Sequence, residues 1–260
     1  MDITFYKYQG TGNDFILLDN RENIYDNISS EQVKKMCDRH FGIGADGLML
    51  LNNKKGYDFE MVYYNSDGNT GSMCGNGGRC IVNFAYRLGI KKKEYLFLGS
   101  DGPHEAEIDI NKEISLKMQD VNNVQFSLDY YVLNTGSPHY VKYVKDIANF
   151  DVIAEGRKIR YNKEFAETGV NVDFVEIISD DEIFVRTYER GVENETLSCG
   201  TGVTASALVS AHNEKGFNRV EVKALGGNLS VEFEKMSDTE FINIWLSGPV
   251  EFVFEGSIQI

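Results

Sequence analysis

Ser72-Met73-Cys74-Gly75-Asn76-Gly77-Gly78-Arg79 recurs in outline half a chain later as Ser198-Cys199-Gly200-Thr201-Gly202: serine, cysteine, glycine, a small polar residue, glycine. An apolar run follows each, Cys80-Ile81-Val82-Asn83-Phe84-Ala85-Tyr86 after the first and Val203-Thr204-Ala205-Ser206-Ala207-Leu208-Val209 after the second. A glycine-rich turn that opens into an apolar run predicts a tight turn at the mouth of a buried helix. Two such stretches half a chain apart predict a duplicated domain, with one cysteine at the start of each copy's central helix. A thiol in that place feels the positive end of the helix dipole and unpaired backbone N–H groups, which favour thiolate and lower its pKa. Either cysteine alone reads equally well as a small core residue, since thiols are commonly buried. The matched glycines around both favour a paired reactive site.

The rest of the composition suits a globular chain. Its 260 residues, 42% hydrophobic and 12% aromatic, suffice for one large or two medium cores. A net charge of −14, with no basic block beyond Lys91-Lys92-Lys93, argues against binding nucleic acid or an anionic membrane. The N-terminal Met1-Asp2-Ile3-Thr4-Phe5-Tyr6-Lys7 alternates like a strand and lacks signal character, and no run approaches a membrane span. A cytoplasmic protein is the expectation. Cysteines at 37, 74, 80 and 199 have neither zinc-ribbon spacing nor the density of a disulfide scaffold, so reduced thiols are expected.

Along the chain, Gly10-Thr11-Gly12-Asn13-Asp14-Phe15 is a turn after the first strand. Asn13 is placed there either as a two-headed ligand contact or as plain turn chemistry. Ser29 or Ser30 caps a helix running to about Asp38. Gly42, Gly44 and Gly47 imitate a dinucleotide fingerprint but follow a helix and precede the strand Leu48–Leu51, the reverse of the required order, so a nucleotide site is rejected. A strand Phe59–Tyr64 delivers Asn65 toward the first cysteine loop, and a meander of short strands follows to Met118. The second half repeats the plan. A turn carrying His139, a strand start at Asn171, and a strand Ile183–Tyr188 ending in Glu189-Arg190-Gly191 lead to Cys199. The spacing of the two cysteines carries Asn65 onto Arg190. Strands over 219–224, 229–233 and 241–246 complete the second unit, and the tail Val250–Phe254 is a last strand able to return to the first domain.

Two thiols at helix starts suit one reaction in particular. Inverting a stereocentre needs a base on one face of a carbon and an acid on the other, two groups of matched pKa. Removing a proton beside a carboxylate drives charge onto its oxygens, which the N–H groups around Gly75, Asn76, Gly200 and Thr201 are placed to hold. The scheme requires no cofactor, and no phosphate loop or metal motif suggests one.

As an ordered set, Gly10–Phe15, Asn65-Ser66-Asp67-Gly68, Cys74-Gly75-Asn76-Gly77, Gly136-Ser137-Pro138-His139, Tyr188-Glu189-Arg190-Gly191 and Glu195–Gly202 resemble the diaminopimelate epimerase family across the whole chain. The resemblance implies an α+β (mixed α/β) fold of two pseudo-symmetric domains, residues 1–119 with 248–260 and residues 120–247. Each is a mixed, mostly antiparallel sheet wrapped around a central helix, with the active site between them. It also implies a homodimer with a small-molecule partner, a diamino dicarboxylic acid, whose LL and meso forms are interconverted without pyridoxal phosphate in lysine and peptidoglycan precursor synthesis. By the same resemblance Cys74 and Cys199 are the catalytic acid/base pair. Asn13, Asn65, Asn171, Glu189 and Arg190 contact substrate; Gly75, Asn76, Gly200 and Thr201 hold the reacting carboxylate by main-chain and hydroxyl contacts. His139 and Glu189 tune thiol protonation. Two positions depart from the pattern: some members carry a substrate-facing Gln where Gly47 stands, and many carry Asn where Ser137 stands.

Two other readings remain open on the residues. A proline or hydroxyproline isomerase of the same architecture would act on one carboxylate and a ring, whereas Asn65, Asn171, Glu189 and Arg190 suit a distant amino-acid end, with Arg190 gripping its carboxylate at two points. A thiol redox or cysteine-based binding protein would cycle a disulfide, yet neither cysteine sits in a two-residue-spaced pair.

Overall fold

The computed structural model describes residues 2–71 and 73–260; Met1, at the head of the expected first strand, and Ser72, which opens the glycine stretch, lie outside the described residues. The chain divides into two compact units, Met1–Leu116 with Pro249–Ile260, and Lys117–Gly248. The first carries β1 (Asp2–Gly10), β2 (Asn13–Asp19), α1 (Ser30–Cys37), β3 (Gly47–Asn52), β4 (Phe59–Asn65), α2 (Gly75–Arg87), β5 (Glu94–Gly99), β6 (Gly102–Ile108) and β7 (Ile114–Lys117), whose last residue opens the second unit. The second carries β8 (Val124–Phe126), β9 (Tyr131–Asn134), β10 (Pro138–Tyr143), α3 (Val152–Arg160), β11 (Asn171–Ile177), β12 (Glu182–Glu189), β13 (Asn194–Thr196), α4 (Gly200–Val209), β14 (Gly216–Ala224), β15 (Gly227–Lys235) and β16 (Phe241–Gly248). The tail forms β17 (Glu251–Gln259), which returns to the first unit and pairs antiparallel with β1.

Each unit shows the same alternation of pairings. In the first, β1–β2 is antiparallel, β2–β3 parallel, β3–β4 antiparallel, β4–β5 parallel, and β5–β6–β7 antiparallel. In the second, β9–β10, β10–β11, β11–β12, β12–β14 and β14–β15–β16 repeat that series in the same order. A parallel pair cannot be closed by a tight hairpin and needs a crossover. Helices supply the four crossovers: α1 and α2 in the first unit, α3 and α4 in the second. The fold is therefore a mixed α/β one, an internally repeated, mostly antiparallel sheet with few helices.

The second crossover helix of each unit is the buried one. In α4, every residue from Val203 to Leu208 is buried, and the helix packs against strands from β9 round to β16. Buried all round and without a polar face, it is the kind of helix that a sheet must surround. Its Val203, Ala205, Ala207 and Leu208 join Val141, Val185, Val222, Val231 and Leu246 in one cluster. In α2, residues Gly75–Val82, Phe84 and Ala85 are buried, and the helix packs on β1, β2 and β3. Phe84 alone, set between Tyr6 and Tyr8, contributes on the order of 2–3 kcal/mol by leaving water. Gly10 makes the close approach of β1 possible: a Cβ there would stand 3.1 Å from the Asn76 carbonyl oxygen and 3.2 Å from Cys80 Sγ.

Local signals mark most boundaries. Ser29 caps α1, its hydroxyl accepting from the Gln32 N–H while the Gln32 side chain accepts from the Ser29 N–H. Three elements lie beyond the sequence reading: β8, β13 and α3. Helix α3, capped by Asp151 onto the Ala154 N–H, carries Gly156 in its middle, which weakens the local helical signal. Tertiary packing demands that glycine, since a Cβ would stand 2.4 Å from the Cβ of Tyr188. The repeat also corrects one register. Spacing alone carries Asn65 onto Arg190, whereas β4 ends on Asn65 and β12 on Glu189, so Glu189 is its structural counterpart.

Candidate active site

Cys74 and Cys199 occupy the same place in the two units. Each is the N-cap of its buried helix, with extended backbone (φ −110° and −115°), and each carbonyl accepts the first helical bond, from Gly78 and Val203. The N–H groups of the first turn have no intrahelical acceptor, so each cysteine sits beside an anion-binding helix mouth. None of the four cysteines is in a disulfide; Cys74 and Cys199 are partly buried, Cys37 and Cys80 fully. Burial raises Cys37 to about 12.

In the first unit, the tight turn at Thr11 and Gly12, both at positive φ, brings Asn13 to the thiol. The Cys74 Sγ donates to Asn13 Oδ1 at 3.5 Å, and the Asn13 amide nitrogen donates to Asp46. Asp46 is held in turn by Arg39 at 2.7 Å, Arg39 also grips Asp14, and Asp14 meets the buried Lys7 at 2.7 Å. Behind the helix mouth stands Arg79, with no exposed surface and no carboxylate partner among the described residues. Its guanidinium donates to the Gly75 carbonyl, the Thr11 hydroxyl and Asn76 Oδ1 at 3.3, 3.2 and 3.0 Å, while Nε makes no hydrogen bond. The Asn76 side chain is thus turned inward. Asn65 stands exposed at the end of β4, opposite Gly47.

In the second unit, a chain of hydrogen bonds leads away from the thiol. Cys199 Sγ lies 3.4 Å from Thr201 Oγ1, Thr201 Oγ1 lies 2.8 Å from His139 Nε2, and His139 Nδ1 lies 2.7 Å from Asp173 Oδ2. The other Asp173 oxygen accepts from the Thr187 hydroxyl at 2.7 Å. His139 and Asp173 have no exposed surface. Asn171 is buried and engaged at both ends: Oδ1 accepts from the Arg190 N–H at 2.8 Å, and Nδ2 donates to Ser137 Oγ at 2.9 Å and to the Pro138 carbonyl at 3.2 Å. It braces the strand end that presents Glu189 and Arg190. The Arg190 side chain is exposed and donates to the Thr168 carbonyl at 3.1 Å.

One electrostatic expectation is corrected. The helix mouth was expected to lower the thiol pKa, yet Cys199 is pushed well above the ordinary thiol range. Burial is the largest cause, and the Glu189 and Asp173 carboxylates add to it. The Thr201 hydroxyl and the Gly202 N–H pull the other way without prevailing. Desolvation penalises the thiolate more than the helix terminus rewards it.

Known proteins match this architecture closely. The family model described as diaminopimelate epimerase matches residues 5–124 and 131–253. The chain belongs to the diaminopimelate epimerase family. A diaminopimelate epimerase of Flavobacterium psychrophilum is 51% identical over 97% of this chain and 99% of its own length. One from Chlorobaculum tepidum is 44% identical over 96% and 99%. Among solved structures, a phenazine biosynthesis protein of the PhzF family from Bacillus anthracis superposes with a TM-score of 0.73 over 100% of both chains at 14% identity. A probable proline racemase from Agrobacterium radiobacter does so with a TM-score of 0.67 over 99% and 93% at 15% identity. At such identities these two similarities speak for the fold alone.

Within the diaminopimelate epimerase family, the two departures acquire a geometry. A side chain at Gly47 is excluded, because a Cβ would stand 2.4 Å from the Tyr63 ring. The Ser137 hydroxyl oxygen accepts from the Asn171 amide nitrogen. Several polar groups of the two half-sites escaped the sequence reading: Asp46, Arg39 and Arg79 in the first unit, Asp173 and Thr187 in the second. Asp173 alone left a signal, a charge inside the apolar strand Val170-Asn171-Val172-Asp173-Phe174-Val175, where all six residues are buried. Among the described residues no helix is long and apolar enough to cross a membrane.

Proposed function

We propose that the chain interconverts LL- and meso-2,6-diaminoheptanedioate, a step of lysine and peptidoglycan precursor synthesis, with Cys74 and Cys199 as the acid/base pair and no cofactor. The observation that carries the reading is the repeat itself: two units of one topology, each capping its one buried helix with a cysteine. In this scheme one thiolate takes the proton from the α-carbon, and the other thiol delivers its own proton to the opposite face. The C–H bond breaks toward one sulfur, the carbanion's charge spreads onto the carboxylate, and a new C–H bond forms from the other sulfur. Net protons are unchanged, and the roles of the thiols exchange with the direction of reaction.

The carboxylate would lie at the helix mouths, where main-chain N–H groups of Gly75, Asn76, Gly200 and Thr201 meet developing charge. Asn13, held by Asp46 and touching Cys74, would orient both thiol and substrate. Arg190 and Glu189, at the end of β12, would grip the non-reacting carboxylate and amine, with Asn65 as a further substrate contact and Asn171 bracing the strand end. His139 and Glu189 would set the protonation of the thiols. A cytoplasmic homodimer completes the reading and rests on the family alone.

Chiral chromatography of LL-diaminoheptanedioate incubated in heavy water tests it. Early meso product should carry deuterium at the inverted centre while recovered substrate stays largely unlabelled, because the proton taken is not the proton returned. Extensive label in recovered substrate before turnover would rule out the two-thiol scheme, and inversion of proline in place of the diamino diacid would rule out the substrate.

A further inference from the structure

Cys199 poses a chemical problem that its helix mouth does not solve. To act as a base it must first lose a proton, yet burial and two nearby carboxylates make its thiolate expensive. The proton needs a defined destination. Resting on the reading of Cys199 as an acid/base group, we propose that the Thr201 hydroxyl carries the proton between Cys199 and His139, and that Asp173 is the positioning residue that holds His139 in the tautomer able to take it.

With Asp173 ionised and the His139 ring neutral, each bond in the chain has one direction. A carboxylate only accepts, so His139 Nδ1, 2.7 Å from Asp173 Oδ2, carries a hydrogen. In the neutral ring Nε2 is then a lone pair, and 2.8 Å away stands the Thr201 hydroxyl. The Asn171 amide nitrogen is 3.5 Å from Nε2, but its two hydrogens go to Ser137 Oγ and the Pro138 carbonyl, which leaves Nε2 to Thr201. Thr201 Oγ1 lies 3.4 Å from Cys199 Sγ, within reach of a thiol hydrogen. The transfer balances: the S–H bond breaks as a new O–H forms on Thr201, and the original Thr201 O–H breaks as an Nε2–H forms. The products are a thiolate, an unchanged threonine and an imidazolium beside Asp173. No proton leaves the unit, and the reverse shift restores the thiol.

Two further features favour this use of Asp173. It is a carboxylate with no exposed surface, and among the described residues His139 is the one basic side chain within ion-pair distance of it. A buried carboxylate left without a partner is costly, so the short bond to Nδ1 fixes the tautomer and the orientation of the ring. Thr187 pins its second oxygen at 2.7 Å, which aims the first at Nδ1. Gly202, third residue of α4, leaves the space: a Cβ would stand 2.3 Å from Asp173 Oδ1 and 3.2 Å from His139 Cε1. The Thr201 hydroxyl is thereby committed to the relay, and its N–H remains for the carboxylate.

The test is the pH profile of Cys199 alkylation by iodoacetamide, followed on the Cys199 peptide by mass spectrometry, which requires no substrate. Charged groups acting on the thiol are Asp173 on β11 and Glu189 on β12, with His139 on β10 reached through Thr201. The relay predicts two steps: a first rise as the coupled pair titrates, a plateau, and a second rise at high pH. Thr201→Val should erase the first step and slow alkylation near neutral pH by about tenfold or more, the effect of one pKa unit on the thiolate fraction. Thr201→Ser should restore it, and Asp173→Asn should weaken it by a similar factor. Glu189→Gln should keep both steps and raise reactivity, since it removes a repelling charge.

A single high-pH step in the unmodified protein overturns the relay, whether or not any variant folds. So does a two-step profile that survives Thr201→Val, or loss of the first step in Glu189→Gln, which would make Glu189 the base. Epimerisation is scored separately: an active enzyme with a one-step profile refutes the relay alone, and an inactive protein with a two-step profile refutes the epimerase reading alone.

Discussion

Gly77 and Gly202 are equivalent residues, each three places after its cysteine in the first turn of a buried helix, and alanine should affect them very differently. At Gly202 a Cβ would stand 2.3 Å from Asp173 Oδ1, about 1 Å inside ordinary contact, and that oxygen belongs to a fully buried carboxylate held by Thr187 and His139. Asp173 cannot withdraw without breaking one of those bonds. Overpacking costs about 1–3 kcal/mol and a lost charge-assisted hydrogen bond about 1.5–3 kcal/mol, against a helix-propensity gain of at most about 1 kcal/mol. Gly202→Ala should therefore destabilise by roughly 2–4 kcal/mol, lowering the melting temperature by roughly 4–16 °C for a protein of this size. At Gly77 the Cβ would meet the terminal methyl of Met49 at 2.2 Å, the far end of an unbranched, adaptable side chain. Displacing that methyl costs little beyond the propensity gain, so Gly77→Ala should stay within about 1 kcal/mol of the parent. Scanning calorimetry and urea titration of both variants make the comparison. Equal effects, or a Gly202→Ala protein melting within about 2 °C of the parent, would refute the argument that Asp173 is pinned.

Arg190→Ala leaves both thiols and their braces intact but removes the cation at the end of β12; kcat/KM for the diamino diacid should fall on the order of 10²-fold or more, and unaltered kinetics would exclude Arg190 from the substrate grip. Asp14 predicts an acid dependence of stability. Burial would raise its carboxyl, but hydrogen bonds from Arg39 and Lys7 outweigh that and hold it at about 2. A carboxylate depressed on folding contributes stability that is present above its unfolded pKa, about 3.9, and is lost as the pH falls through its folded value. Asp14→Asn should accordingly weaken the protein at neutral pH, with the gap in urea midpoint closing between about pH 4 and 2; a gap constant down to pH 2 would contradict the assignment.

The residues that announce themselves in the sequence do so through short-range physics. Ser29 and Gln32 cap α1 within one turn of chain, Leu48–Leu51 forms a strand because it is apolar throughout, and Cys74 and Cys199 begin helices because glycine turns open into apolar runs. Pairing the cysteines across the repeat also needed nothing beyond sequence. Other features were decided by chain segments that meet only after folding. Helix α3 carries a glycine that reads as a break until Tyr188 is seen packed against it. The structural counterpart of Asn65 is Glu189, because strand ends are set by pairing registers and not by constant spacing. Helix-terminus reasoning gave the Cys199 thiol the wrong direction, since desolvation depends on everything packed around a group, whereas the dipole is read from one helix. Asp173 and His139 are 34 residues apart and meet only because β10 and β11 lie parallel, with His139 opposite Asn171. A sequence carries periodicity, caps and turns within a few residues of each other; burial, close approach and the partner of a buried charge are properties of the packed chain.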